Sequence, residues 1–241
     1  MIAQMDVGVT DTLGLSVTLP FLASRYVGAP FYFVEGNLTF PGPLDDGTYH
    51  AAFQDLRVEA RRMFLAGPVA VTPFVGVAFP THDYETVGEA VPGRHRRELQ
   101  AGISAGLPLD AIVPGMQVHG RYAYATLERL NGLPHTRSNV DLEVGQGLTA
   151  RLGIHGAIGW QIAHAGPTIA ELVPDWVNHD RFINSSFLSL GVGASFSVTR
   201  STEVYAAWAG AVRGRRGAHV ARVLAVGVSR SFGGGFQGIG R

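Results

Sequence analysis

From Phe187 to Val198 the chain alternates residue by residue. Leu188, Leu190, Val192, Ala194, Phe196 and Val198 share one parity, and Ser189, Gly191, Gly193, Ser195 and Ser197 share the other. A strand turns successive side chains to opposite faces, so this segment predicts a strand with one apolar side and one small, polar side. The pattern recurs along almost the whole chain. It begins weakly with Met5, Val7 and Val9 opposed by Asp6, Gly8 and Thr10. Leu13, Leu15, Val17, Leu19 and Phe21 then alternate with Gly14, Ser16, Thr18 and Pro20. Leu56, Val58, Ala60 and Phe64 oppose Asp55, Arg57, Glu59 and Arg61, and Val69, Val71, Val75, Val77 and Phe79 follow. Leu99, Ala101, Ile103 and Leu107 oppose Glu98, Gln100, Gly102 and Ser104, while Met116, Val118, Tyr122 and Tyr124 oppose Gln117, His119 and Arg121. Val140, Leu142, Val144 and Leu148 oppose Asn139, Asp141 and Glu143. Leu152, Ile154, Ile158, Trp160 and Ile162 oppose His155 and Gln161. After 187–198 come Val204, Ala206 and Trp208, then Leu224, Val226, Val228 and Phe232, making eleven predicted strands.

The connections alternate in length. Short ones lie near 10–12, 66–68, 108–115, 149–151 and 199–201; longer ones span about 27–50, 81–95, 129–137, 165–183 and 213–219. Short turns at one end and long loops at the other, on strands with one apolar and one polar face, predict a single-domain, antiparallel up-and-down transmembrane β-barrel over residues 1–232. The glycine-rich segment 233–241 reads as a tail, because no Lys-Ser/Thr or helix pattern follows Gly233, Gly234 and Gly235 to make a phosphate loop. With short turns at the periplasmic end, the first and last of the eleven strands both descend, and two such strands are not antiparallel neighbours. The expectation is therefore a further ascending strand and a signal peptide ahead of Met1, giving twelve strands in the complete protein.

Composition narrows the classes. Nineteen basic residues balance nineteen acidic ones, which gives no reason to expect a nucleic-acid partner. Charged residues are 16 % of the chain and cysteine is absent, which removes disulfide and thiolate–metal chemistry. No apolar run is long enough for a transmembrane helix.

The inward parity carries the candidate site. Asp55, Arg57, Glu59 and Arg61 form an acid–base ladder, followed on successive strands by Glu98 and Gln100, by Gln117, His119 and Arg121, by Asn139, Asp141 and Glu143, and by His155. Residues opposite one another with complementary charge knit adjacent strands. The same row fills a narrow lumen and forms a polar surface that selects solutes. Seven of nine histidines (His50, His82, His95, His135, His164, His179 and His219) fall in or beside the predicted loops, and no pair has metal-ligand spacing, so no metal or other cofactor is expected. Ser104, His119 and Asp141 share the inward face on consecutive strands, and a lipid-acting outer-membrane enzyme would need such groups to converge. A soluble ligand-binding barrel would reverse the two faces. The loop 27–50 is aromatic and apolar, with Phe31, Tyr32, Phe33, Phe40 and Pro41, and is a candidate lid at the mouth.

Val7-Gly8-Val9-Thr10-Asp11-Thr12-Leu13, followed by Leu19-Pro20-Phe21, resembles a hairpin of the Gram-negative outer-membrane family named for the meta-pathway of phenol degradation. Asp45-Asp46-Gly47, Phe53-Gln54-Asp55-Leu56-Arg57, Phe79-Pro80-Thr81, His179-Asp180-Arg181 and the stretch from Gly214 to Phe232 are similar to further landmarks, in the same order. Val7 departs from the tyrosine that the family favours. The resemblance implies a non-enzymatic channel or transporter of the cell outer membrane for small aromatic or other hydrophobic molecules. Its partners are then outer-membrane lipid, the solute, and the barrel assembly machinery, which reads a last strand ending in an aromatic such as Phe232.

Overall fold

The computed structural model describes residues 1–28, 33–34, 38–39, 43–166, 181, 184–215 and 221–232. In chain order the strands are β1 (Ile2–Gly8), β2 (Leu13–Ser24), β3 (Phe33–Val34), β4 (Leu38–Thr39) and β5 (His50–Phe53). They continue with β6 (Leu56–Arg62), β7 (Phe64–Ala66), β8 (Val69–Phe79), β9 (Glu98–Pro108) and β10 (Met116–Leu130). The last are β11 (Leu133–Gly147), β12 (Leu152–Ala165), β13 (Ser186–Ser197), β14 (Thr202–Arg215) and β15 (Val223–Arg230).

All but β3 and β4 belong to one antiparallel sheet, ordered β1-β2-β6-β8-β9-β10-β11-β12-β13-β14-β15. Short β5 also pairs with β2, and β7 with β8, so β5, β6 and β7 are consecutive pieces of one long strand. Each strand pairs with its neighbours in sequence, and the path contains the eleven long strands that the alternation predicts. Eleven antiparallel strands are joined by ten reversals of direction, an even number, so β1 and β15 point the same way, and no ladder joins them among the described residues.

Burial is inverted relative to a water-soluble protein. Leu224 and Val226 are 76 % exposed, whereas Gln100 and Glu98 on the opposite parity are 3 % and 8 % exposed. Trp160, Trp208, Ile158, Leu190 and Val192 are exposed as well. In lipid the backbone must satisfy its own hydrogen bonds, and a continuous ladder with apolar side chains outward meets that need. The soluble-barrel alternative requires the reverse arrangement, which these strands do not have. Along β13, Leu190, Val192 and Phe196 are exposed, and the serines and glycines between them face the other way.

One predicted boundary is wrong. The segment 129–137 is not a loop: β10 and β11 run to a two-residue turn at Asn131-Gly132, where φ is 51° and 78°. Two consecutive positive φ values match the twist of a hairpin, and Asn-Gly supplies them at the lowest cost. The polar residues around the turn masked the alternation that continues to it. At 15 residues each, β10 and β11 are longer than the roughly 9–11 that cross a bilayer, so this hairpin projects beyond it. Gly132→Ala places a Cβ in the left-handed region and is expected to cost about 1 kcal/mol. A shifted urea-unfolding midpoint in detergent checks this, and an unchanged midpoint counts against the strained geometry.

Candidate functional site

The polar parity turns inward, and strand size decides which charges meet. Inward residues of β8 are small near one end, with Gly76 and Ala78. Long side chains from β6 therefore reach over β8 to β9. Arg57 Nη1 donates to Gln100 Oε1 at 3.0 Å, and Arg57 Nη2 donates to Glu98 Oε1 at 3.3 Å. The Gln100 amide lies across Gly76, where a Cβ would stand 2.9 Å from Nε2. It donates onward to Glu59 Oε2 at 3.2 Å. The same device operates at β10, whose Ala123 and Ala125 are fully enclosed. Over Ala125, Arg137 of β11 reaches β9 and donates to Glu98 Oε2 at 2.5 Å.

A second layer centres on Glu59. Arg121 Nη2 donates to Glu59 Oε2 at 2.6 Å, and Arg121 Nη1 to Oε1 at 3.4 Å, a fork that matches the carboxylate. The guanidinium carbon of Arg121 sits 3.5 Å from the Phe74 ring centroid. Phe74 can lie flat there because Gly102 has no side chain; a Cβ at Gly102 would overlap the ring. Register alone places Arg121 opposite Asp141 and His119 opposite Glu143, the complementary neighbours that the sequence predicts. The hydrogen bonds of Arg121 nevertheless go to Glu59, two strands further away than Asp141.

The other predicted residues spread along the lumen. Arg61 donates to Asp6 Oδ1 at 2.8 Å, past Gly14 on β2. Gln117, His119, Asp141 and Glu143 line a more open stretch, and Asn139 lies between Ala123 and Gln161. His155 packs its ring over Gly193. On the next strands along the sheet, β12 to β14, the inward residues include Gly159, Ser189, Gly191 and Ala209, and these flank a cavity of about 400 Å³ together with His119, Arg121 and Asp141. Along the sheet the inner face thus passes from long charged side chains on β6 to β11 to glycine, alanine and serine on β12 to β14.

Sequence reasoning missed the part that closes the mouth. Residues 80–97, between β8 and β9, fold into the opening. Tyr84 is buried; its hydroxyl donates to Asp55 Oδ1 at 2.7 Å and accepts from the His95 backbone N–H at 2.7 Å. Burial, reinforced by the Asp55 carboxylate, raises the Tyr84 phenol above its ordinary value, so the donating proton stays in place. Ser24 Oγ donates to the Ala90 carbonyl at 2.6 Å, Gln54 donates to the Pro92 carbonyl, and Asp45 Oδ1 accepts from the Glu89 N–H at 2.8 Å. Arg181 donates to the carbonyls of Arg94 and His95 at 3.2 and 3.0 Å. Arg94 Nη1 lies 3.1 Å from Nε2 of His135, which is a buried inward residue of β11 and not the loop residue predicted. Loss of solvation, followed by the neighbouring Arg137 charge, pulls Arg94 down to about 10. Loss of solvation and the Arg181 charge do the same to Arg96, also to about 10. A loop without periodicity leaves no pattern to read; the clue available was its density of Tyr, His and Arg.

Of the lid predicted at 27–50, residues 29–32, 35–37 and 40–42, which include Phe31, Tyr32, Phe40 and Pro41, lie outside the described residues. Among the described residues no group of three or more His, Asp or Glu side chains is placed to hold a metal ion. Ser104, His119 and Asp141 are not brought together as a triad: Ser104 Oγ donates to the Thr72 carbonyl at 3.5 Å. On the outward face Ser138 Oγ lies 2.7 Å from His164 Nε2 and 3.1 Å from the Tyr122 hydroxyl. Ser138 is paired on both strand edges, so its N–H is committed to the ladder and no oxyanion hole forms around it. These three groups satisfy one another on the outer face.

No family profile matches the chain, and no curated protein matches it. Among solved structures it is similar to an outer membrane channel from Pseudomonas putida F1, with a TM-score of 0.63 and 12 % identity over 94 % of this chain and 80 % of that one. This is a likeness of fold: the chain has the architecture of an outer-membrane β-barrel. A porin structure aligns with a TM-score of 0.42 and 10 % identity, over 95 % of this chain and 60 % of that one.

Proposed function

We propose that this protein is an outer-membrane channel for small molecules. The observation that carries this reading is the division of the sheet into an apolar outer face and an inner face on which small residues leave space beside the long charged side chains. A barrel of this size lies between the filled eight-strand barrels and the wide 16–18-strand porins, so side chains and an inserted loop set its selectivity. The row from Asp55 to Arg61, together with Glu98, Gln100 and Arg121, is the selecting surface. The sequence landmarks from Val7 to Phe232 support membership of the family named for the meta-pathway of phenol degradation, and with it solutes that have an aromatic or other hydrophobic body. Outer-membrane lipid contacts the exposed apolar parity, and the assembly machinery reads β15 with Phe232 during biogenesis.

Folded protein in a planar bilayer is expected to give discrete conductance steps in KCl. Absence of steps, together with no uptake of small solutes by liposomes carrying the protein, defeats the channel reading.

A further inference from the structure

Beneath the inserted loop is a cavity of about 280 Å³ whose lining is unevenly charged. Arg57, Arg94, Arg96 and Arg137 contribute four guanidinium groups, against the two carboxylates Asp55 and Glu98. One carboxylate, Asp55, is engaged by the Tyr84 hydroxyl, and the other, Glu98, is shared between Arg57 and Arg137. Nε of Arg137 is buried and has no hydrogen-bond partner, although the rest of that side chain is anchored. A buried N–H left without an acceptor costs stability, and the guanidinium that carries it lines the cavity.

We infer that this cavity is a binding site for a small organic monocarboxylate passing through the lumen. Guanidinium groups offer paired N–H donors that match a carboxylate, which a lysine ammonium does not. Every one of the 19 basic side chains in this sequence is an arginine. The site takes a single negative charge rather than several, because Asp55 and Glu98 line the same space and repel a multiply charged anion. The remaining lining includes Pro20, Ala78 and Leu127, an apolar patch for the body of the solute. Because Arg94 and Arg96 arrive on the inserted loop, the site is complete only while that loop is docked in the mouth.

This inference deepens the channel reading and rests on it, so the two are tested separately. Benzoate and its neutral counterpart benzamide are titrated calorimetrically into the folded protein in detergent, and conductance is recorded on the same preparation. Benzoate is expected to bind at least about tenfold more tightly than benzamide, and Arg137→Gln and Arg96→Gln are each expected to weaken it by on the order of tenfold or more. Inorganic phosphate at neutral pH is expected to compete poorly. Equal binding of benzoate and benzamide overturns the site, as does benzoate binding that both variants leave unchanged. Absence of benzoate binding with conductance intact removes the site and keeps the channel. Selective benzoate binding without conductance keeps the site and removes the channel. The comparison of benzoate with benzamide uses the unaltered protein, so it stands even where a variant fails to fold.

Discussion

Replacing Glu98 with alanine is expected to destabilise the barrel by about 3 kcal/mol, the scale for removing one partner from a buried ion pair. The glutamate side chain is 7 % exposed and receives Arg137, itself 12 % exposed, and Arg57, which is 41 % exposed. Arg57 regains much of its hydration when freed. Arg137 does not: it is enclosed over Ala125, and its Nε already lacks a partner. The loss therefore falls mainly on Arg137. Replacing Arg137 and Glu98 together, with methionine and leucine, removes both charges and is expected to recover most of that loss. Urea-unfolding midpoints in detergent for the single and double variants check this. A single variant within about 0.5 kcal/mol of the parent means that Glu98 is not the keystone of the upper layer.

The second large effect concerns the inserted loop. Tyr84→Phe removes the hydroxyl that donates to Asp55 and accepts from the His95 N–H, both at 2.7 Å. It leaves a partly buried carboxylate and a backbone donor short of a partner. One hydrogen bond to a charged group and one neutral bond together amount to about 2–3 kcal/mol. The ratio of undocked to docked loop should then rise by roughly 30- to 150-fold, if the loop moves between these two states. Trypsin cleavage after Arg94 or Arg97 reads the undocked state directly, and longer dwell at the highest conductance level reads its effect on the passage. Unchanged cleavage and unchanged conductance in Tyr84→Phe would mean that other contacts hold the loop, such as Ser24 to Ala90 and Arg181 to His95.

The division between what was legible and what was not follows from physical range. Strand number, strand order and the facing of each side chain could be read because they depend on a period of two and on nearest-neighbour pairing. Leu190 and Val192 outward, with Ser189 and Gly191 inward, needed nothing beyond their own segment. The same reasoning put Asp55, Arg57, Glu59, Glu98 and Gln100 on the polar parity, where Arg57, Glu59, Glu98 and Gln100 share hydrogen bonds. It overlooked the Asn131-Gly132 turn because Arg129, His135 and Thr136 read as loop residues by their polarity, although they continue the strands.

Pairing among the inward charges was not legible. Adjacent-strand logic gives Arg121 to Asp141, yet Arg121 binds Glu59 across two intervening strands. Which long side chains meet depends on how small the residues between them are: Gly76, Ala78, Gly102 and Ala125 open the paths that the charges use. The docked loop lies further still from local pattern, since Tyr84 and Arg94 find their partners 29 and 41 residues away. By itself the sequence determined a sheet of eleven antiparallel strands and which face of it is apolar and outward, because alternation acts within each strand. Only the tertiary structure decided which charges pair, and that Arg94 and Arg96 of residues 80–97 meet Arg57 and Arg137 around one cavity, because those contacts depend on the volume left by residues distant in the chain.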